Sequence, residues 1–152
     1  MAPSAYCDAN ILIEALEDAG ERGDFALHLF DAASDGRLRL VTSTLSLAET
    51  LVKPLASKDR KLARAYALLF NTPKSGLAAV EIDRRILARA AFVRVRKGSI
   101  RLPDAIHIAT AECTGCDAIL TRDKAWSGAT RVPLLAPAAD TLSLITGTNN
   151  AH

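Results

Sequence analysis

Aromatic side chains are scarce in this sequence, at 5%. Any core must therefore be built from Leu, Ile, Val and Ala, and extensive stacking on nucleic-acid bases is disfavoured. No apolar run reaches the roughly 18 residues that a membrane span requires, so no membrane association is expected. The first residues, Met1-Ala2-Pro3-Ser4, show no basic start followed by an apolar stretch, and no secretory leader is expected. Cysteine is limited to Cys7, Cys113 and Cys116. An odd, small number argues against a disulfide scaffold and favours a reducing, cytoplasmic setting. No Gly-rich phosphate loop is present either.

What is there fits one globular α/β domain spanning residues 1–152, with a core over about 4–135 and a flexible tail over about 147–152. The chain has 152 residues, 49% of them apolar and 24% charged, an ordinary globular mix. Its net charge of +2 conceals an uneven distribution. Residues 1–52 carry net −6, residues 53–101 net +10 and residues 102–152 net −2. A basic block between acidic segments reads either as solvated helix faces or as a polyanion-binding face beside a cation site.

Strand and helix patterns alternate along the chain. Ser4-Ala5-Tyr6-Cys7 reads as a strand running into a helix that starts at Asn10 and ends near Gly20. Asp24 to Phe30 has helical periodicity, stopped by Ser34-Asp35-Gly36. Leu38 to Thr42 reads as a second strand. Ser43 or Thr44 can cap the helix that carries Glu49, which Pro54 ends or kinks. Ser57 can cap the next helix, with Leu62, Tyr66 and Leu69 as its buried stripe. Leu77 to Ile82 is a third strand, and Asp83 caps a helix reaching about Lys97. Leu102-Pro103-Asp104 opens another helix, ending near Cys113. Ala118 to Thr121 and Arg131 to Leu135 are the last strands, the final one at a sheet edge because it contains Pro133. This alternation predicts a mostly parallel five-stranded sheet with helices on both faces. In such sheets ligands bind beyond the carboxyl ends of the strands.

Several acids fall at those ends. Asp8 closes the first strand, Glu49 sits early in the helix after the second, Asp104 opens a helix, and Asp123 follows the fourth strand. Each can be a helix cap or a surface charge by itself. Gathered together they would repel, and a divalent cation would relieve that repulsion. Carboxylates and water are the ligands that Mg²⁺ and Mn²⁺ prefer.

Four blocks carry a resemblance. Tyr6-Cys7-Asp8-Ala9-Asn10-Ile11-Leu12-Ile13, Ser46 to Leu55 around Glu49, Leu102-Pro103-Asp104-Ala105-Ile106-His107 with the helix that follows, and Ile119-Leu120-Thr121-Arg122-Asp123 resemble the four blocks of the PIN domain, in its order and spacing. Among PIN domains the chain is most similar to the VapC-type toxins of prokaryotic toxin–antitoxin pairs. The resemblance implies a three-layer α/β/α sandwich and a metal-dependent endoribonuclease. Its acidic residues map onto Asp8, Glu49, Asp104 and Asp123. Asn10 and Thr121 map onto supporting polar positions. The fourth block departs from the usual pattern, with Arg122 before the acid and Trp126 as the aromatic. The implied cofactor is Mg²⁺ or Mn²⁺. The implied partners are RNA, an antitoxin protein and a second copy of the chain.

On that reading the basic block meets RNA phosphates. Arg85, Arg89 and Arg96 share one helix face by spacing, Arg60 and Arg64 another, and Arg101 stands three residues before Asp104. Two alternatives use the same scaffold: a non-catalytic PIN module that binds RNA or protein, and a housekeeping nuclease with no antitoxin. Cys113-x-x-Cys116 lacks the second pair that a structural zinc needs, and it falls at a helix end where a redox pair would stand at a helix start. His107 reads as a core or supporting residue. Aspartyl phosphoryl chemistry at Asp8 would need a second Asp where the chain has Asn10.

Overall fold

The computed structural model describes residues 2–147. The sheet forms from β1 (Ser4–Cys7), β2 (Arg39–Ser43), β3 (Leu77–Val80), β4 (Ala118–Leu120) and β5 (Leu134–Leu135). Their order is β3-β2-β1-β4-β5. Every pairing is parallel, so the sheet is wholly rather than mostly parallel. β5 is an edge strand as expected, but it is confined to Leu134–Leu135, shorter than the expected Arg131 to Leu135, and Pro133 stands just before it. The described helices are α1 (Ala9–Glu17), α2 (Glu21–Ser34), α3 (Leu45–Ala56), α4 (Arg60–Asn71), α5 (Arg84–Arg96), α6 (Leu102–Cys113) and α7 (Ala139–Thr146).

A buried parallel strand is apolar on both faces, because helices cover both. The central strand shows this residue by residue. Ala5 and Cys7 point into one core with Ile11, Leu12, Phe25, Leu29 and Leu40. Tyr6 points into the other, with Val41, Ile86, Val93, Ile108 and Ile119. Two apolar layers thus sandwich one sheet, α1 and α2 against one face and α5 and α6 against the other. The Asp117 carboxylate fastens the start of β1 to the start of β4, accepting from the Ser4 backbone N–H at 2.8 Å.

Local chemistry sets most element ends. Asp83 caps α5 by accepting from the Ile86 N–H at 2.9 Å. Ser57 does not cap α4. It lies at the C-terminus of α3, which runs two residues past Pro54, and Asp59 caps α4 through the Leu62 N–H at 3.0 Å. Ser43, rather than Thr44, supplies the side-chain bond at the start of α3, its Oγ accepting from the Leu45 N–H at 3.1 Å. The tail expected to be flexible lies outside the described residues, apart from Gly147 at the end of α7.

The strand order places the site. From β1 the chain adds β2 and β3 on one side, then β4 and β5 on the other. The winding reverses beside β1, and such a reversal opens a crevice at the carboxyl edge of the sheet. Asp8 is the residue that leaves β1 at that edge.

Candidate active site

One cavity of about 320 Å³ at this edge is lined by Asp8, Asn10, Glu49, Arg101, Asp104, His107, Asp123 and Trp126, with Ala9 and Ile13. The four acids read from the sequence therefore share one wall system. Thr121 stands just behind it, and its Oγ1 accepts from the Asp123 N–H at 3.0 Å. A groove of about 620 Å³ along α5, beside Phe92 and Val95, is larger, but its acid, Glu112, is already committed to arginines.

Asp8 caps α1. Its backbone is extended, and its carboxylate accepts from the Asn10 N–H at 3.1 Å. It is also 8% exposed. Burial pushes its carboxyl up to about 6, and the nearby Glu49 carboxylate adds to the rise. His107 and the backbone N–H groups of Ile11 and Asn10 offset part of it. A buried acid so poorly compensated is a group that gains from a nearby cation.

Asp104 lies in the first turn of α6 and caps nothing, since Arg101 holds the cap position. The exposed Arg101 Nε stands 3.6 Å from the Asp104 carboxylate. Asp123 does act as a cap, accepting from the Ala125 N–H at 2.9 Å in the turn after β4. Asn10, beside Asp8 in α1, stays exposed.

His107 is 2% exposed and ties the site together. Its Nε2 lies 2.6 Å from Glu49 Oε1, and its Nδ1 lies 2.5 Å from the Tyr6 hydroxyl. Trp126 stacks on the imidazole at 6.2 Å with a 22° interplanar angle. Burial pushes the Tyr6 phenol well above its usual range, so Tyr6 keeps its proton. Nothing local in the sequence marks this triad, because its members are far apart along the chain. The only available signal is that Tyr6 and His107 each stand two or three residues from an acid of the site.

The basic residues are distributed differently. Arg101 lines the cavity mouth. Arg89 and Arg96 are held by Glu112 on α6, at 2.7 Å and 2.8 Å. Arg85 donates to the Cys113 carbonyl at 3.3 Å. Arg60 and Arg64 remain exposed on α4 and do not line the acidic cavity. Cys7, Cys113 and Cys116 are free thiols.

The donors facing the cavity are carboxylate oxygens, the set that suits Mg²⁺ or Mn²⁺. Among the described residues, no group of three or more His, Cys, Asp or Glu side chains is gathered tightly enough to hold a metal alone. Mg²⁺ commonly takes one or two protein carboxylates and completes its shell with water and substrate phosphate.

The fold and this edge-of-sheet acidic cavity define an α/β PIN-type architecture. The chain belongs to the PIN domain family, whose model matches residues 5–131. Solved structures share the fold. A toxin–antitoxin complex from Klebsiella pneumoniae matches with TM-score 0.63 and 23% identity, covering 88% of this chain and 97% of that one. VapBC2 from Rickettsia felis, bound to a DNA fragment from its promoter, matches with TM-score 0.70 and 14% identity, covering 88% and 98%. VapC20 from Mycobacterium tuberculosis, a sarcin-ricin loop cleaving toxin, matches with TM-score 0.65 and 17% identity, covering 82% and 94%. No curated protein matches the sequence. Among the described residues, no helix is long and apolar enough to cross a membrane.

Proposed function

We propose that this protein is a divalent-metal-dependent endoribonuclease, the toxin of a toxin–antitoxin pair acting in the cytoplasm. The observation that carries the reading is Asp8: a buried carboxyl raised to about 6, facing Glu49, Asp104 and Asp123 across one cavity. Family membership supports the chemistry, and the toxins among its structural neighbours support the biology.

Asp8 and Asp104 would hold Mg²⁺ or Mn²⁺. Glu49 and Asp123 would complete the site as ligands or orient water within it, with Asn10 and Thr121 in support. A bound divalent ion activates water as a nucleophile and neutralises charge at a scissile phosphate. Arg101, exposed beside Asp104, would meet an incoming phosphate, giving salt-sensitive and largely sequence-independent affinity. Arg60, Arg64, Arg85, Arg89 and Arg96 would extend that contact outward, although Arg89 and Arg96 must share themselves with Glu112. Val52, Leu55 and Leu68 leave apolar surface exposed on α3 and α4, which suits an antitoxin segment or a second copy of the chain.

Incubation of the full chain with cellular RNA and Mn²⁺ tests this reading. Cleavage is expected in the wild type and lost in Asp8→Asn and Asp104→Asn proteins that melt as folded molecules. Chelator-resistant cleavage surviving in the double variant would overturn it. A second reading is an inert scaffold that binds RNA or protein. It requires that Mn²⁺ titration show no binding at the acidic cavity.

A further inference from the structure

Three elements meet at the acidic cavity, and one hydrogen-bonded chain crosses all of them. β1 contributes Tyr6 and is followed directly by Asp8, α3 contributes Glu49, and α6 contributes Asp104 and His107. The chain runs from the Tyr6 hydroxyl to His107 Nδ1 at 2.5 Å, and from His107 Nε2 to Glu49 Oε1 at 2.6 Å.

The two ends of this chain differ in freedom. Tyr6 is 0% exposed and His107 2%, with Trp126, itself 1% exposed, stacked on the imidazole. Neither ring has room to turn. The Glu49 side chain is 36% exposed, and a glutamate at that exposure samples several rotamers unless something holds it. A carboxylate can only accept, so Nε2 must carry a hydrogen to bond it. The Tyr6 hydroxyl can donate to Nδ1, and Nε2–H then donates to Glu49.

We propose, resting on the nuclease reading above, that His107 is a positioning residue: it holds the Glu49 carboxylate toward the cavity, and Tyr6 selects the imidazole tautomer that allows it. His107 is not itself a metal ligand, since both ring nitrogens are engaged. The logic is that of outer partners that orient ligands around a metal, where loss of such a partner commonly costs 10–100-fold in affinity or activity. A residue that served only to fill space would act independently of Glu49.

The test combines a mutant cycle with spectra of the metal-free full chain. His107→Phe preserves a planar ring and removes the donor, and His107→Gln restores an N–H. With saturating Mn²⁺ and an RNA substrate, His107→Phe is expected to lower kcat about 10-fold or more. His107→Gln should recover much of that loss, and His107→Phe should add little in a Glu49→Gln background. Equal losses with and without Glu49 would overturn the proposal. Long-range ¹H–¹⁵N spectra of the metal-free protein give an independent readout. The His107 ring should show the Nε2–H tautomer, with Nε2 shifted by Glu49→Gln and Nδ1 by Tyr6→Phe. An Nδ1–H tautomer, or an Nε2 signal indifferent to Glu49→Gln, would also overturn it. Wild-type protein that cleaves no RNA while keeping these signals would remove the nuclease reading and support the positioning of Glu49.

Discussion

Arg122 grips Glu14 from across the carboxyl edge of the sheet, donating from Nε at 3.0 Å and from a terminal nitrogen at 3.2 Å. The pair joins the loop after β4 to α1, the helix capped by Asp8. Arg122 is the residue at which the fourth block departs from its family pattern, and its neighbour is Asp123. Arg122→Met should therefore loosen the Asp123 loop. Because Arg122 is 34% exposed, the stability loss should stay within about 1 kcal/mol. RNA cleavage should fall several-fold, and comparing thermal melts with cleavage rates checks the separation.

Asp8 should weaken the metal-free fold as the pH rises. Its folded-state value of about 6 lies above the ordinary 3.8, so between those values the folded protein holds a proton that the unfolded chain has released. Stability from this group is present below about pH 4, declines as the pH rises to about 6, and stays low above. Asp8→Asn keeps a good helix cap and removes the buried charge. At pH 7 without metal, that variant should be more stable by on the order of 2 kcal/mol, with a flatter profile between pH 4 and 6. Urea unfolding at several pH values measures both.

Glu112 works in the opposite sense. Burial alone would raise its carboxyl, but hydrogen bonds from Arg96, Thr130 and Arg89 outweigh that and hold it at about 2. Its contribution is complete above the ordinary carboxylate value of 4.5 and is lost as the pH falls toward 2. Glu112→Gln should destabilise the protein by about 2 kcal/mol at pH 7, with a smaller deficit below pH 3. Denaturant midpoints at the two pH values give the comparison.

Gly23 lets α2 start directly against the end of α1. A Cβ built there would stand 1.8 Å from the Asp18 carbonyl oxygen, a backbone atom that cannot step aside cheaply. Gly23→Ala should cost about 1–3 kcal/mol and lower the melting temperature. A variant as stable as the wild type would show that the α1–α2 corner is looser than this contact implies.

Much of the frame was legible because it is local. Asp8 stands out where an apolar strand meets a helix, Asp83 announces its helix, and Pro133 marks an edge. The cap of α4 is ambiguous along the sequence because Ser57 and Asp59 are both good cap residues, two apart. Only the continuation of α3 past Pro54, and the left-handed turn at Lys58 (φ 57°), decide between them. α7 carries little local signal, since Ala139–Thr146 has no strong cap and forms a helix by packing Leu142 and Ile145 onto an existing core. The arginine spacing on α5 was visible, but its partner Glu112 lies on α6. Pairings such as Tyr6 with His107 join residues 101 apart, and no window along the sequence contains both.

The clasp between Ser4 and Asp117 spans 113 residues, and it bears on the order in which the chain is made. β1 leaves the ribosome early, and its neighbour β4 follows much later. Until β4 arrives, the central strand has only β2 beside it, and Asp8 and Asp123 have no common edge on which to meet. A nascent chain, or one cut short before β4, carries Asp8, Glu49 and Asp104 without the cavity that unites them with Asp123. Synthesis itself thus delays assembly of the acidic site until the sheet can close around its first strand.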